Sequence, residues 1–326
     1  GGLISVETAA DFPVRRVESG PAGGAIFAAD VAARFDLDKV VSYDMGGTTA
    51  KICLIEDFQP QTARTFEVAR TYRFSKGSGL PISIPVIEMI EIGAGGGSLA
   101  HVDAMRQIRV GPESAGSEPG PACYGRGGEK PAVTDADLVL GKLDPENFAG
   151  GSIRLDTAGS EGALQNVIGK ELNMDAATAA FGLAEVVDEN MANAARVHAV
   201  ENGEDLSDYT MIAFGGAAPL HAGRLCEKLG VERLLVPPGA GVGSAIGFLR
   251  APFSFEANRS VYMKLSDFDA DRIKTLLAEL RDEATGFVRN CDAEAEILSE
   301  YKVYMRYSGQ GWEIPIVLDE ADALNP

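Results

Sequence analysis

Two apolar runs, Lys39 to Tyr43 (KVVSY) and Ile52 to Ile55 (ICLI), flank the hexapeptide Asp44-Met45-Gly46-Gly47-Thr48-Thr49. Two such runs around a short glycine turn predict a buried strand–turn–strand over Lys39 to Glu56. A bend of this kind lets another group approach the main chain closely, because glycine carries no Cβ. Its amides can hold phosphate oxygens, and the threonine hydroxyls can add hydrogen bonds. An aspartate at the strand end can hold Mg2+ or its water shell against polyphosphate charge. An ordinary glycine turn opened by an aspartate explains the same residues, so both readings stand at this point. No GxxxxGK[ST] occurs in the chain, so the bend is not a Walker A loop.

A second glycine turn lies about 170 residues downstream. Tyr209 to Phe214 predicts a buried strand that runs into Gly215-Gly216, with a helix over Leu220 to Leu229 and a further strand at Arg233 to Val236. The carboxyl end of such a strand leaves a crevice where an adenosine can rest against backbone, although a tight strand-to-helix turn accounts for it equally. Residues 20 to 35 and 239 to 250 predict helices with small residues on one side, and Asp175 to Asn202 a longer helix with apolar positions at three-and-four spacing. Residues 64 to 90 predict further strand. The glycines and prolines of residues 93 to 131 predict a long loop wrapped around a functional site. Composition shifts near residue 260. An acidic helix over 267 to 290 and strands over 299 to 308 and 312 to 318 then predict a subdomain over 261–326, separate from a domain over 1–260.

A net charge of −19 argues against nucleic acid or an anionic membrane as partner. It leaves local phosphate binding open, because amides and a divalent ion act at short range. Cys53, Cys123, Cys226 and Cys291 are scattered without a CxxC pair, the pattern of buried thiols in a reducing cytosol. With no signal peptide and no apolar run approaching about 18 residues, the expected location is cytoplasmic. The opening Gly1-Gly2-Leu3 and the end at Pro326 give the expectation of a piece of a longer chain.

Secondary candidates each have a bland alternative. The Gly93 to Gly97 segment can approach a ligand or serve as a flexible crossover. Thr134 or Asp135 is read as the N-cap of a helix containing Leu138-Val139-Leu140, in preference to an Asp135–Asp137 metal pair. Cys123 is read as a buried structural thiol rather than a nucleophile, and His221 as a packing or capping histidine. His101 with Asp103 forms a candidate metal or substrate pair. Arg306 and Gln310 are candidates for contact with substrate or another lobe, against an exposed strand. Lys51 either points to solvent or pairs with a carboxylate.

The order of small-residue helix, DMGGTT bend, FGGAAP turn and second small-residue helix resembles one lobe of the actin, Hsp70 and sugar-kinase superfamily. The fold class it implies is α/β, a ribonuclease H-like nucleotide-binding lobe with an additional mixed subdomain. Longer strings are more specific. SGPAGG (from Ser19), DMGGTT (from Asp44), EIGAGGGS (from Glu91), RVGPESAG (from Arg109), PGPACYGRGG (from Pro119), TDADLVLG (from Thr134), AFGGAAPLHA (from Ala213) and MRYSGQ (from Met305) resemble the hydantoinase/oxoprolinase family. That resemblance implies ATP-dependent hydrolysis of a cyclic amide such as a hydantoin or 5-oxoproline, with ATP and Mg2+ or another divalent ion. It assigns phosphate contacts to Gly46, Gly47, Thr48 and Thr49, metal-side and catalytic work to Asp44, a catalytic part to Thr48, and adenosine to Gly215 and Gly216. It also implies a small-molecule substrate, and an amino-terminal lobe or second subunit within a homo- or hetero-oligomer. An alternative on the same resemblance is a subunit of an acetone- or acetophenone-type carboxylase; the superfamily likeness of the fold also leaves a nucleotide-driven chaperone-like protein or a sugar kinase. Many members carry Asp where this chain has Lys51 and Gly where it has Ala218, which bears on subfamily.

Overall fold

The computed structural model describes residues 2–17, 19–68 and 77–318. They fall into two compact units, one of residues 18–250 and one of residues 1–17 with 251–326.

The larger unit is built on a six-stranded sheet. Helix α1 (Ser19–Phe35) precedes the hairpin of β1 (Lys39–Met45) and β2 (Ala50–Glu56). Strand β3 (Met89–Ile92) and the short pair Gln59–Pro60 share the outer side of β2. The hairpin of β4 (Ser98–Val102) and β5 (Ile108–Ser114) follows, then helices α2 (Val133–Val139), α3 (Thr157–Leu164) and α4 (Ala176–Asn202). Strand β6 (Thr210–Phe214), helix α5 (Ala218–Leu229), strand β7 (Arg233–Leu235) and helix α6 (Gly243–Arg250) complete the unit. The sheet runs β7-β6-β1-β2, with β6 parallel to both β1 and β7, and with β2 antiparallel to β1 and β3.

Alternation explains why these strands read as nearly unbroken apolar runs. Val41, Tyr43, Met45, Ile52, Leu54, Met211 and Ala213 turn to a core shared with Leu183, Val187 and Met191 of α4. Val40, Cys53, Ile55, Ile212 and Phe214 turn the other way, onto Phe27, Ala28 and Val31 of α1. Phe27 and Phe214 meet edge to face, ring centres 5.4 Å apart. Helix α4 starts where the Asp175 carboxylate accepts from the Thr178 amide at 2.7 Å and stops at Gly203, whose φ of 75° closes the last turn.

The small-residue helices α1 and α6 lie in close contact. A Cβ on Gly247 would sit 1.8 Å from the Gly23 carbonyl oxygen, and one on Gly24 would sit 3.0 Å from Asp44 Oδ2. Small residues there let a helix backbone approach the strand that carries the aspartate.

One expectation needs correcting. Residues 93 to 131 are not a structureless loop, because β4 and β5 pair across them in register, Ile108 with Val102 and Val110 with Ala100. Register then shifts between Val110 and Ser114, around Gly111 at φ 69°. Its glycines mark the segment ahead of β4, this bulge at Gly111, and residues 115–131 after β5, where Gly116, Gly120, Gly125, Gly127 and Gly128 lie outside helix and strand and the expected loop is found. Of the strand expected over 64 to 90, Phe66–Val68 pairs with Leu80–Ile82, and residues 69–76 lie outside the described ones.

In the smaller unit, helix α7 (Ala270–Cys291) begins at the Asp269 cap, and strands β8 (Tyr301–Met305) and β9 (Ile314–Leu318) form an antiparallel hairpin. Phe255 stacks on Phe287 with ring centres 4.7 Å apart. No described residue of this unit is fully buried. No helix among the described residues is long and apolar enough to cross a membrane.

The helix contact yields a paired test. Gly247→Ala forces a Cβ into backbone and should cost about 3 kcal/mol or more. Gly223→Ala, on α5 with open space around it, should be neutral or stabilising by about 0.5–1 kcal/mol. Urea unfolding of the two variants measures both.

Candidate functional site

The bend between β1 and β2 is closed by the Gly46 amide donating to the Thr49 carbonyl at 3.1 Å. The carbonyls of Gly46 and Gly47 accept from the Gly96 and Gly97 amides at 2.9 and 2.7 Å. A Cβ on Gly95 would stand 2.6 Å from both Gly47 C and Thr48 N, so only glycine lets the two backbones meet. The Gly93 to Gly97 segment is therefore a strut beneath the bend. Gly47 and Thr48 are exposed, Cβ positions on Gly46 and Gly47 would meet open space, and the amides of Gly47 and Thr48 have no acceptor among the described residues.

Asp44 points to the α1 and α6 side of the sheet. Its Oδ2 accepts from Ser244 Oγ on α6 at 3.1 Å, and Oδ1 faces the Gly215 backbone. Burial raises its pKa above the ordinary carboxylate value, with the Ser244 hydroxyl and the Lys51 charge offsetting only part of that rise. Lys51 lies directly opposite Asp44 in the hairpin register. Its Nζ is 2.5 Å from Thr49 Oγ1 and 3.5 Å from Glu91 Oε1, so it pairs with a carboxylate rather than standing free.

The second glycine turn adjoins the first. Gly215 has φ 92°, and its amide donates to the Ala240 carbonyl at 2.8 Å. A Cβ there would meet Met45 O at 2.5 Å and Asp44 Oδ1 at 2.6 Å. The Ala217 amide donates to Met45 O at 2.9 Å. Gly216 is exposed with open space where its Cβ would be. The structure thus gathers Asp44, Gly46, Gly47, Thr48, Thr49, Gly215 and Gly216 at the carboxyl ends of the parallel neighbours β1 and β6.

A polar network stands behind this edge. Helix α2 begins two residues earlier than a Thr134 cap and three earlier than an Asp135 cap would place it, with Ala132 at its cap position. Asp135 is therefore a first-turn residue and not the N-cap. Wholly buried, its carboxylate accepts from the Ala122, Cys123 and Ala132 amides and from Ser160 Oγ, at 2.7 to 3.1 Å. Thr134 donates to the Gly96 carbonyl through both N and Oγ1, each at 2.8 Å, and so holds the strut. Asp137 Oδ2 lies 3.1 Å from His221 Nε2, and Asp188 Oδ1 lies 2.8 Å from Nδ1. Lys142 Nζ donates to the other Asp137 oxygen at 2.9 Å. Neither carboxylate can donate when ionised, so the imidazole between them carries both protons. Burial would lower the His221 pKa, yet its hydrogen bonds to Asp137 and Asp188 prevail and hold it at about 9. Burial would likewise raise Asp137, but His221 and Lys142 keep it below the usual carboxylate range. His221 is thus an ionic clamp joining α2, α4 and α5, and neither a cap nor an apolar packing residue.

The remaining candidates lie apart. Cys123 is buried, and burial with the adjacent Asp135 pushes its thiol far above the ordinary value, which opposes nucleophilic use. Asp103 serves the β4–β5 turn, accepting from the Met105 and Gln107 amides at 2.9 Å each and from Arg109 Nε at 2.7 Å, while His101 is exposed on β4. Arg306 and Gln310 are exposed and belong to the smaller unit. No group of three or more His, Cys, Asp or Glu suited to a metal occurs among the described residues. Sequence reasoning missed Asp188 and Ser244. Asp188 lies among the apolar positions of α4 with no local polar pattern to mark it, and Ser244 is one small residue in a helix of small residues.

Comparison with known proteins adds the following. A family model described as hydantoinase/oxoprolinase matches residues 1–257. Caprolactamase subunit alpha of Pseudomonas jessenii is 34% identical over 322 residues, 98% of this chain and 45% of that one. The crystal structure of the ATP-dependent caprolactamase from Pseudomonas jessenii matches with a TM-score of 0.74 at 33% identity, covering 93% of this chain and 44% of that one. A nucleotide-free acetone carboxylase structure matches with a TM-score of 0.71 at 28% identity, over 91% of this chain and 42% of that one. The chain spans about half the length of the curated relatives it matches.

The clamp sets a pH dependence. The folded His221 pKa lies above the free value of 6.5, so its stabilisation is complete below about pH 6.5 and is lost as pH rises through about 9. At 1.36 kcal/mol per unit, the shift from 6.5 to about 9 corresponds to roughly 3 kcal/mol. Urea midpoints taken between pH 6 and 9.5 should fall for the wild type and stay flat over that window for His221→Gln. The strut gives a second expectation: Gly95→Ala should displace the bend while leaving the sheet folded, seen as altered amide exchange at Gly46–Thr49 with far-ultraviolet dichroism unchanged.

Proposed function

The chain belongs to the hydantoinase/oxoprolinase family, and from that membership we propose that its glycine bend holds the phosphates of ATP, in a protein that hydrolyses a cyclic amide. The observation carrying this reading is the meeting of the Asp44 bend and the Gly215 turn at the ends of adjacent parallel strands, where α/β sheets take ligands. The residues fit the group. The Gly47 and Thr48 amides are available as donors, the Thr48 hydroxyl is exposed, and Asp44 Oδ1 has no protein hydrogen-bond donor among the described residues.

In this reading the amides and hydroxyls of Gly46 to Thr49 hold phosphate oxygens. Asp44, fixed by Ser244 through one oxygen, offers the other to the hydration shell of a divalent ion such as Mg2+. Gly216 presents a bare backbone surface to adenosine, and Gly215 lets the two turns touch. ATP, when bound, supplies a phosphoryl group that makes a resistant ring carbonyl open to attack by water. The chain's own part is positioning and charge placement, which dominate such reactions.

The antiparallel β1, β2 and β3 joined to parallel β6 and β7 support the actin/Hsp70/sugar-kinase-like lobe reading. We place the family's central domain over residues 1–260 and the start of the next over 261–326, the first in keeping with the family match. Further phosphate contacts are expected from an amino-terminal lobe or a partner subunit. A second reading, a subunit of a ketone carboxylase, is supported by the acetone carboxylase likeness. The caprolactamase likeness, at higher identity and similar coverage, favours the amide.

The test is ATP turnover by the full chain with any subunit it requires, offered hydantoins, 5-oxoproline, caprolactam, or acetone with bicarbonate. ADP release should depend on a cyclic amide, and Asp44→Asn should lower kcat by about a hundredfold or more, the order seen when one preorganised electrostatic contact is removed. Turnover with acetone and bicarbonate alone would assign the carboxylase. The absence of nucleotide binding would sink the proposal.

A further inference from the structure

The four glycine- and small-residue segments that meet at the bend, residues 19–24, 44–49, 93–98 and 215–219, contain no lysine or arginine. An anion held there has amides and hydroxyls around it but no cationic side chain from those segments. Lys51 supplies one from the next strand. It is the direct cross-strand partner of Asp44 on one side and of Glu91 on the other, and its side chain points to the same face of the sheet as Asp44.

Its two present partners are unequal. The ammonium donates to Thr49 Oγ1 at 2.5 Å, which occupies an acceptor site on that hydroxyl and leaves its proton to be donated elsewhere. The contact with Glu91 is looser, 3.5 Å to a carboxylate whose side chain is 47% exposed. An ion pair of that kind is screened by water and contributes little. Lys51 is thus tethered firmly to a hydroxyl of the bend and weakly to a carboxylate that competes with an incoming anion.

Resting on the phosphate-binding reading of the bend, we infer that Lys51 is a nucleotide-contacting residue whose ammonium, together with the Thr49 hydroxyl it orients, neutralises polyphosphate at the bend and leaves Glu91 on binding. The ligand class is a nucleoside polyphosphate, because the recognised feature is dense negative charge beside backbone amides. An ion pair kept for structure behaves differently. It needs both partners, so removing either one weakens the protein in the same direction.

Isothermal titration of the full chain, with any subunit it requires, measures affinities for ATP and adenosine. Lys51→Gln should weaken ATP roughly tenfold or more, as expected for loss of one charge-assisted contact, and leave adenosine unchanged. Lys51→Arg should stay within about threefold of the wild type, since it keeps the charge. Glu91→Gln removes the competitor and should bind ATP as tightly as the wild type or more tightly. Thermal unfolding checks each variant, and if Lys51→Gln does not fold, the Glu91→Gln and Lys51→Arg arms decide. Wild-type affinity in Lys51→Gln, weakened ATP binding in Glu91→Gln, or a parallel loss for adenosine would each overturn the inference while leaving the bend's role standing. A wild-type chain that bound no ATP would overturn the bend's role first, and this inference with it.

Discussion

The site depends on two carbonyl groups that turn inward. Gly46 and Gly47 give their carbonyl oxygens to the Gly96 and Gly97 amides, and the approach is possible only because Gly95 has no Cβ to strike Gly47 and Thr48. A bend with those carbonyls free would present acceptors to solvent, and acceptors repel an anion. Committing them to the strut leaves donors as the unsatisfied groups on the exposed side. The polarity of the bend is thus set by the segment beneath it, within a chain whose net charge is −19.

The strut is held in turn. Its Gly96 carbonyl accepts twice from Thr134, in the first turn of α2, and α2 is tied to α4 and α5 by the imidazolium between Asp137 and Asp188. A charge enclosed in this way is costly to leave half-paired, by about 3–5 kcal/mol when one partner is removed. The three helices therefore keep the clamp together or lose it together. Asp135, two residues before Asp137, does comparable work, collecting three backbone amides and one hydroxyl from segments that would otherwise carry buried unpaired donors.

Legibility followed sequence distance. The β1–β2 hairpin, the strand into Gly215, the long α4 and the two small-residue helices were readable because apolar period and glycine chemistry act over a few residues. The β4–β5 hairpin was hidden, its alternation interrupted at Gly111 and preceded by five residues rich in glycine. Asp135 was placed near the right helix end but in the wrong role, since a three-residue change in where α2 starts converts a cap into a first-turn acceptor. The clamp could not be read at all. Its members are 33 and 84 residues apart, and a lone histidine among apolar neighbours carries no mark of the two carboxylates that fold onto it. Ser244, 200 residues from Asp44, was invisible for the same reason.

The aspartate shows why those distant contacts matter for chemistry. Burial raises the Asp44 pKa and works toward its neutral form, which is of little use to a divalent ion. The Ser244 hydroxyl and the Lys51 charge oppose that shift from opposite sides, one from α6 and one from β2. The bend and its acid are adjacent in sequence, but the acid's ionisation is governed by elements that only the folded sheet and its helices bring together. A chain could therefore keep the DMGGTT string intact and still lose the proposed function through α6 or β2, because the string specifies the shape of the bend and its surroundings specify its charge.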